Sequence, residues 1–294
     1  MKPSGLAPAK TYSTGQRYTT DVTVQAQFPE VGQMENVVIV GYGTVGQGMQ
    51  KIFPDAVIYD PPKGLGQDNC KISQCELSII CVPTPQSFNG SCDVSQVEYA
   101  VAQAETPLIL IKSTVSPGTT ERLRKTTHKR IVFSPEYMGE SEYWTPAAYP
   151  SPFNPVTHGF MILGGSPQDC ADIADLFLPR LGPATRFRFM TSTEAEIVKY
   201  AENAFFALKV TFANELRAIC NAADVSYHSV REGWLDDPRV GPMHTAAFRD
   251  APGFDGKCFP KDISALITYC ESIGVGSTLL QAIVERNREL RQGP

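Results

Sequence analysis

The run Val37-Val38-Ile39-Val40 leads directly into Gly41-Tyr42-Gly43-Thr44-Val45-Gly46, so a β-branched apolar strand ends in G-x-G-x-x-G. That spacing restricts the fold more than any other feature of the chain. Gly41 makes the tight turn, Gly43 lets a pyrophosphate approach the backbone, and Gly46 lets the next helix pack closely on the strand. Thr44 and Val45 then open a helix whose N-terminal N–H groups suit a diphosphate. A second apolar run, Val57-Ile58-Tyr59, ends in Asp60, 19 positions after Gly41, where a carboxylate can bind ribose hydroxyls. Asp60 would repel a 2′-phosphate, so NAD is expected rather than NADP.

Further apolar runs at 77–82, 108–111, 131–133 and 160–163 alternate with segments of helical length. Such βα repetition predicts a Rossmann-type doubly wound α/β fold, a mostly parallel sheet with ligands at the carboxyl ends of its strands. From about residue 191 the period becomes helical, with Ile197, Ala201, Ala204, Leu208, Phe212 and Leu216 recurring at three or four residue intervals. Thr191-Ser192-Thr193 offer caps, and Glu194 and Glu196 suit the first turn. The expected organisation is a flexible arm over 1–33, a cofactor-binding domain over 34–190 and an all-helical domain over 191–294.

A net charge of −5 gives no electrostatic footprint for nucleic acid or an anionic membrane. No run approaches the ~18 apolar residues that a membrane helix needs, and residues 1–33 lack a signal pattern, so a cytoplasmic protein is expected. The eight cysteines are scattered without C-x-x-C pairs and the four histidines are isolated, so neither a metal site nor a disulfide framework is expected.

The second constraining feature is Gly253-Phe254-Asp255-Gly256-Lys257-Cys258-Phe259-Pro260-Lys261-Asp262, which sets a thiol, an ammonium and a carboxylate within a few positions. Pro260 can start a helix, and a cysteine just before a helix N-terminus is biased toward thiolate. Cys258 is therefore a candidate nucleophile. On the long helix, Lys199 and Asn203 stand at i and i+4, on a face that continues through Phe206, Val210 and Asn214. The loops after the strands supply Val82-Pro83-Thr84, then Ser113-Thr114, then Glu136-Tyr137 with Glu140. For Thr84 and Thr114 helix capping is the alternative role, and for Glu136 and Glu140 a solvated loop.

Taken together these motifs resemble the nucleotide-sugar 6-dehydrogenase family, of the UDP-glucose/GDP-mannose type. The resemblance spans roughly 35–290 and rests on the fingerprint ending Val45-Gly46, on Val82-Pro83-Thr84-Pro85, Lys112-Ser113-Thr114-Val115 and Ser134-Pro135-Glu136-Tyr137. It continues through Lys199 with Asn203, Asn214-Glu215, Asp237-Pro238-Arg239-Val240-Gly241 and Gly256-Lys257-Cys258-Phe259-Pro260-Lys261-Asp262.

The family resemblance implies a helical domain of the 6-phosphogluconate-dehydrogenase-like type and a four-electron oxidation of an alcohol to an acid with two NAD. Cys258 would hold the intermediate covalently, Lys199 and Asn203 would stabilise an oxyanion, and Glu136, Asp262 and Thr114 would organise the hydrolytic water. Glu140 and Lys261 look like further cofactor contacts beside Gly41, Gly43, Thr44, Val45, Gly46, Asp60, Val82, Pro83, Thr84, Ser113 and Thr114. Glu136, Tyr137, Lys199, Asn203, Gly256 and Arg239 would contact the substrate, Arg239 at a phosphate and from a neighbouring subunit. A UDP-sugar substrate and a homodimer through the helical domain are expected, in a form that lacks the family's C-terminal UDP-binding domain.

The alternatives are a β-hydroxyacid dehydrogenase, which Ser113-Thr114-Val115-Ser116-Pro117 also resembles and which needs no Cys258, or a retired NAD-binding protein.

Overall fold

The computed structural model describes residues 37–66, 74–139 and 151–292. The arm expected over 1–33 lies outside them, as does Glu140. The described residues cluster as one compact unit.

Seven strands form one sheet in the order β2-β1-β3-β4-β5-β6-β7. They are β1 (Val37–Val40), β2 (Val57–Tyr59), β3 (Leu77–Ile80), β4 (Leu108–Ile111), β5 (Arg130–Phe133), β6 (Phe160–Gly164) and β7 (Arg186–Met190). The first five are mutually parallel. β6 meets β5 antiparallel at Phe133 and Gly164, and β7 runs parallel to β6. The inner strands β3 and β4, Leu-Ser-Ile-Ile and Leu-Ile-Leu-Ile, are buried at every position, as a strand covered on both faces must be.

On one face α1 (Thr44–Ile52) and α4 (Pro167–Leu181) close a core around Ile39, Ile79, Leu110, Leu163 and Phe177. On the other, α2 (Ser95–Gln103) and α3 (Thr119–Thr127) close one around Ile80, Ile109, Ile131 and Phe133. The Rossmann-type sheet and the following helices agree with the expectation. The edge strand β7 is the one strand that the sequence reading does not include, because Arg-Phe-Arg-Phe-Met alternates and carries no apolar run.

The chain then enters α5 (Ser192–Ala222), a helix of 31 residues. Thr191 and Glu194 form a reciprocal capping box, satisfying two N–H groups that would otherwise lack partners. Three shorter helices follow, α6 (Tyr227–Leu235), α7 (Phe259–Ser272) and α8 (Thr278–Gln292). Residues of α5, α7 and α8 share a small core of Ala204, Ala207, Ile263 and Ile283 with Phe254.

The periodicity read on α5 splits between two faces. Ala204 is buried and Leu208 and Leu216 are half-buried, but Ile197, Ala201 and Phe212 are exposed. Lys199, Asn203 and Asn214 on the polar face are buried beside Tyr200 and Ala207. Small and polar residues point inward because that face closes on loops bearing carboxylates and backbone amides.

Candidate active site

The fingerprint turn has the form that a dinucleotide needs. Gly41 takes φ +91°, and a Cβ on it would lie 2.7 Å from the Cys81 carbonyl oxygen. A Cβ on Gly46 would stand 2.2 Å from the Gly41 oxygen, whereas nothing lies within 4 Å of one on Gly43. The crowding at Gly41 and Gly46 packs strand and helix together. The room at Gly43, the N-cap of α1, leaves a cradle over helix N–H groups that no side chain caps. Asp60 stands at the end of β2, where its carboxylate accepts the Tyr42 N–H at 2.8 Å and lies 3.8 Å from the Lys63 ammonium. These residues fit the diphosphate and ribose of NAD.

The strand-end loops converge beside this turn. Ser113 is buried and donates to the Val82 carbonyl at 2.7 Å, tying the loop after β4 to the loop after β3. Cys92 lies beneath both loops, its thiol 3.3 Å from the Thr114 carbonyl oxygen and 3.8 Å from that of Thr84. Tyr200 of α5 and Ala265 of α7 complete this buried floor. Burial raises the Cys92 thiol above its ordinary range although Lys261 opposes the shift. Cys92 is thus a packed floor residue under the strand-end loops.

Lys199, also on α5, is buried and bonds twice to one residue, to the Glu136 carboxylate at 2.9 Å and its carbonyl at 2.8 Å. The Tyr137 ring lies 5.9 Å from the same ammonium. Burial works against charge on both partners. For Glu136 the Lys199 ammonium, the Met138 N–H and Lys112 outweigh it, so its carboxyl stays below the usual range. For Lys199 the Glu136 carboxylate outweighs it and holds the ammonium above its ordinary value. The pair is therefore ionised at neutral pH.

One turn along, Asn203 donates to the Asp262 carboxylate at 2.6 Å, and Lys261 pairs with the other oxygen of Asp262 at 2.5 Å. Asp262 sits in the first turn of α7, its N–H bonded to the Cys258 carbonyl at 2.8 Å. Cys258 is the N-cap of that helix and is half-buried, so its thiol stands at the positive end of the helix dipole. Gly256 takes φ +90° in the turn before it. Arg239 lies apart from this cluster: it is largely exposed and grips Asp237 at 2.6 Å.

Three further charged groups were not singled out from the sequence. Lys112 is buried at the end of β4 and donates to the Pro135 carbonyl at 2.7 Å and to the Ser134 hydroxyl at 3.1 Å, clamping the turn that presents Glu136. Burial pulls its ammonium down to about 8, against the upward pull of Glu136 and Cys81. Glu196, fully buried on α5, accepts the Gly118 N–H at 2.5 Å and the Thr120 N–H at 2.8 Å, so it caps α3 and docks the Thr114 loop. Burial pushes the Glu202 carboxyl up to about 7, with Lys199 opposing and Glu136 adding to the shift. The signal that could have found Glu196 is its spacing with Lys199 and Asn203, one helix face of polar groups. Among the described residues no group of three or more His, Cys, Asp or Glu is placed to hold a metal ion, and no helix is long and apolar enough to cross a membrane.

A parallel-stranded sheet with this glycine turn, followed by a helix delivering Lys199 and Asn203 to the strand ends, defines a dinucleotide-binding α/β protein. The model of the NAD binding domain of the UDP-glucose/GDP-mannose dehydrogenase family matches residues 65–150, and that of the family's central domain matches residues 193–289. Together they match more than half of the chain, which belongs to this family, and its cofactor is NAD.

Among curated relatives, the UDP-glucose 6-dehydrogenase of Pseudomonas aeruginosa is 32% identical over 238 residues, 75% of this chain and 50% of that protein. The UDP-glucose 6-dehydrogenase of Haloferax volcanii is 30% identical over 242 residues, 75% of this chain and 54% of that protein. The chain thus spans about half the length of the curated relatives it matches.

Among solved structures, a UDP-glucose dehydrogenase from Pyrobaculum islandicum superposes with a TM-score of 0.71 at 24% identity, covering 90% of this chain and 70% of that one. A 3-hydroxyisobutyrate dehydrogenase from Mycobacterium tuberculosis gives 0.62 at 14% identity, covering 86% and 92%. Both share the fold.

Proposed function

We propose that the chain carries the cofactor site and the reacting groups of an NAD-dependent nucleotide-sugar 6-dehydrogenase, with a UDP-sugar, UDP-glucose first, as substrate. The observation that carries this reading is the chain of contacts from Asn203 through Asp262 to the helix turn capped by Cys258. A single hydride transfer requires no thiol there, whereas an oxidation carried on to the acid without aldehyde release does. When bound, NAD supplies the hydride acceptor, once for each of two oxidations.

Lys199, kept charged by Glu136, and the Asn203 amide stabilise the oxyanion that develops as the C6 alcohol gives up its proton to a neighbouring water. Loss of the first hydride from C6 leaves an aldehyde, and the Cys258 thiolate forms a C–S bond to its carbon while the oxygen takes a proton, giving a thiohemiacetal. Loss of the second hydride from that carbon and of the hydroxyl proton to water leaves a thioester on Cys258. Glu136, Asp262 and Thr114 orient a water that gives up a proton to neighbouring solvent as its oxygen bonds to this carbon, and the C–S bond breaks to release the carboxylic acid and the thiolate.

Residues 34–190 would act as the cofactor domain, and residues 191–294 would form a homodimer, with Arg239 reaching a substrate phosphate in the neighbouring subunit. The cytoplasm is the proposed compartment. Incubation with NAD and UDP-glucose, counting reduced nicotinamide per sugar consumed, tests the reading. Two per acid formed supports it. One per sugar would favour a β-hydroxyacid type of reaction, and tight NAD binding with no turnover across UDP- and GDP-sugars would favour a non-catalytic protein.

A further inference from the structure

The loop that leads to Cys258 is anchored by one side chain of the last helix. Phe254 is buried, its N–H donates to Asn287 Oδ1 at 2.7 Å, and its carbonyl accepts from Asn287 Nδ2 at 2.9 Å. Asn287 is itself 8% exposed. The residue before Phe254 makes room for it: Gly253 takes φ +76°, and a Cβ there would stand 2.4 Å from Asn287 Oδ1. Four positions further along α8, Arg291 donates to the Asp255 carboxylate at 2.6 Å. The buried amide and the exposed ion pair therefore grip two consecutive residues, Phe254 and Asp255, and Cys258 caps α7 three residues later.

We propose that Asn287 is a positioning residue for Cys258. Its amide satisfies both backbone groups of Phe254, as a neighbouring strand would, and so sets the direction in which the loop enters the first turn of α7. The choice of amide is dictated by that double contact. A carboxylate at 287 would set an acceptor against the Phe254 carbonyl, and an apolar side chain of the same size would leave a buried N–H and C=O unpaired. Asn287 holds the backbone of the loop that leads to Cys258, so its effect is on the geometry and reactivity of that residue and not on NAD affinity.

The proposal rests on Cys258 as nucleophile, and its test reads the thiol apart from turnover. In the full chain, the rate of Cys258 alkylation by iodoacetamide is measured from pH 6 to 9, the adduct located by peptide mass spectrometry, for wild type, Asn287→Asp and Asn287→Leu. NAD dissociation constants and unfolding curves are recorded alongside. In folded variants a change of at least about fivefold in alkylation rate, or a displaced pH midpoint, with NAD affinity within about twofold of wild type, is expected.

Unchanged alkylation rate and midpoint in a folded Asn287→Leu protein would overturn the proposal. Should the Asn287 variants not fold, Gly253→Ala drives a methyl group against Asn287 Oδ1 and keeps the amide. It is expected to shift the same profile, and an unshifted profile again overturns the idea. Failure of the nucleophile reading would show separately, as wild-type acid formation by Cys258→Ser.

Discussion

Asn203 donates to the Asp262 carboxylate across 2.6 Å, joining side chains 59 residues apart in sequence. Both are buried, so this bond fixes how the long helix faces the turn of Cys258. Asn203→Ala strips the donor from a buried carboxylate. We expect a loss of about 1–3 kcal/mol of stability and about 10²–10³ in kcat for sugar oxidation, read by urea unfolding and by NADH formation.

Cys258→Ser keeps the shape of the N-cap and removes the thiolate. NAD should bind as in wild type while acid formation stops. Undiminished acid, detected by mass spectrometry of the product, would exclude the covalent step.

Lys112 ties the pH dependence of stability to the Glu136 turn. The groups facing it are Glu136, Cys81 and Lys199, and burial holds its ammonium at about 8 in the native state, below the usual 10.5. Between these values the unfolded chain binds more protons, so this residue makes native stability rise as pH increases from about 8 toward 10.5. In Lys112→Met that rise, up to about 2–3 kcal/mol, should vanish from urea unfolding at pH 7.5 and 10.

Glu202 gives the opposite slope. Its native carboxyl is pushed up to about 7 from 4.5, so the folded state holds the extra proton in that window and stability falls as pH rises through it. Glu202→Gln should remove about 1–2 kcal/mol of this fall, seen as a smaller difference in Tm between pH 5 and pH 8.

Gly41→Ala tests the cofactor turn. The left-handed backbone and the 2.7 Å approach to the Cys81 carbonyl both oppose a methyl group. We expect about 2–4 kcal/mol of destabilisation and at least tenfold weaker NAD binding by calorimetry.

Much of this was legible because local rules coincided with the tertiary answer. The glycine turn, six strands and the start of α5 at Ser192 are written in apolar runs and caps that need no knowledge of neighbours. The inward face of α5 was legible only in part, in Lys199, Asn203 and Ala204, since Ile197 and Phe212 of its apolar stripe are exposed and its buried polar groups answer to loops more than fifty residues away, as Lys199 does to Glu136. Glu196 reads as a first-turn acid stabilising its own helix, yet it caps α3. Cys92 is one of the scattered cysteines, and nothing nearby in sequence places it under Thr84 and Thr114.

The reversal at Phe133 and Gly164 carries a consequence for chain direction. In an unbroken βα series each helix would leave a carboxyl edge and descend beside the sheet. Because β6 and β7 run downward, α5 starts level with that edge, with Ser192 and Ala195 against Gly164, the partner of the last residue of β5, and climbs. It meets Gly118 with Glu196 and Glu136 with Lys199 within two turns. Most of its length, about 46 Å for 31 residues, is left above the strands. Two inverted strands thus turn a covering helix into a mast, and the site stands where the mast passes the deck.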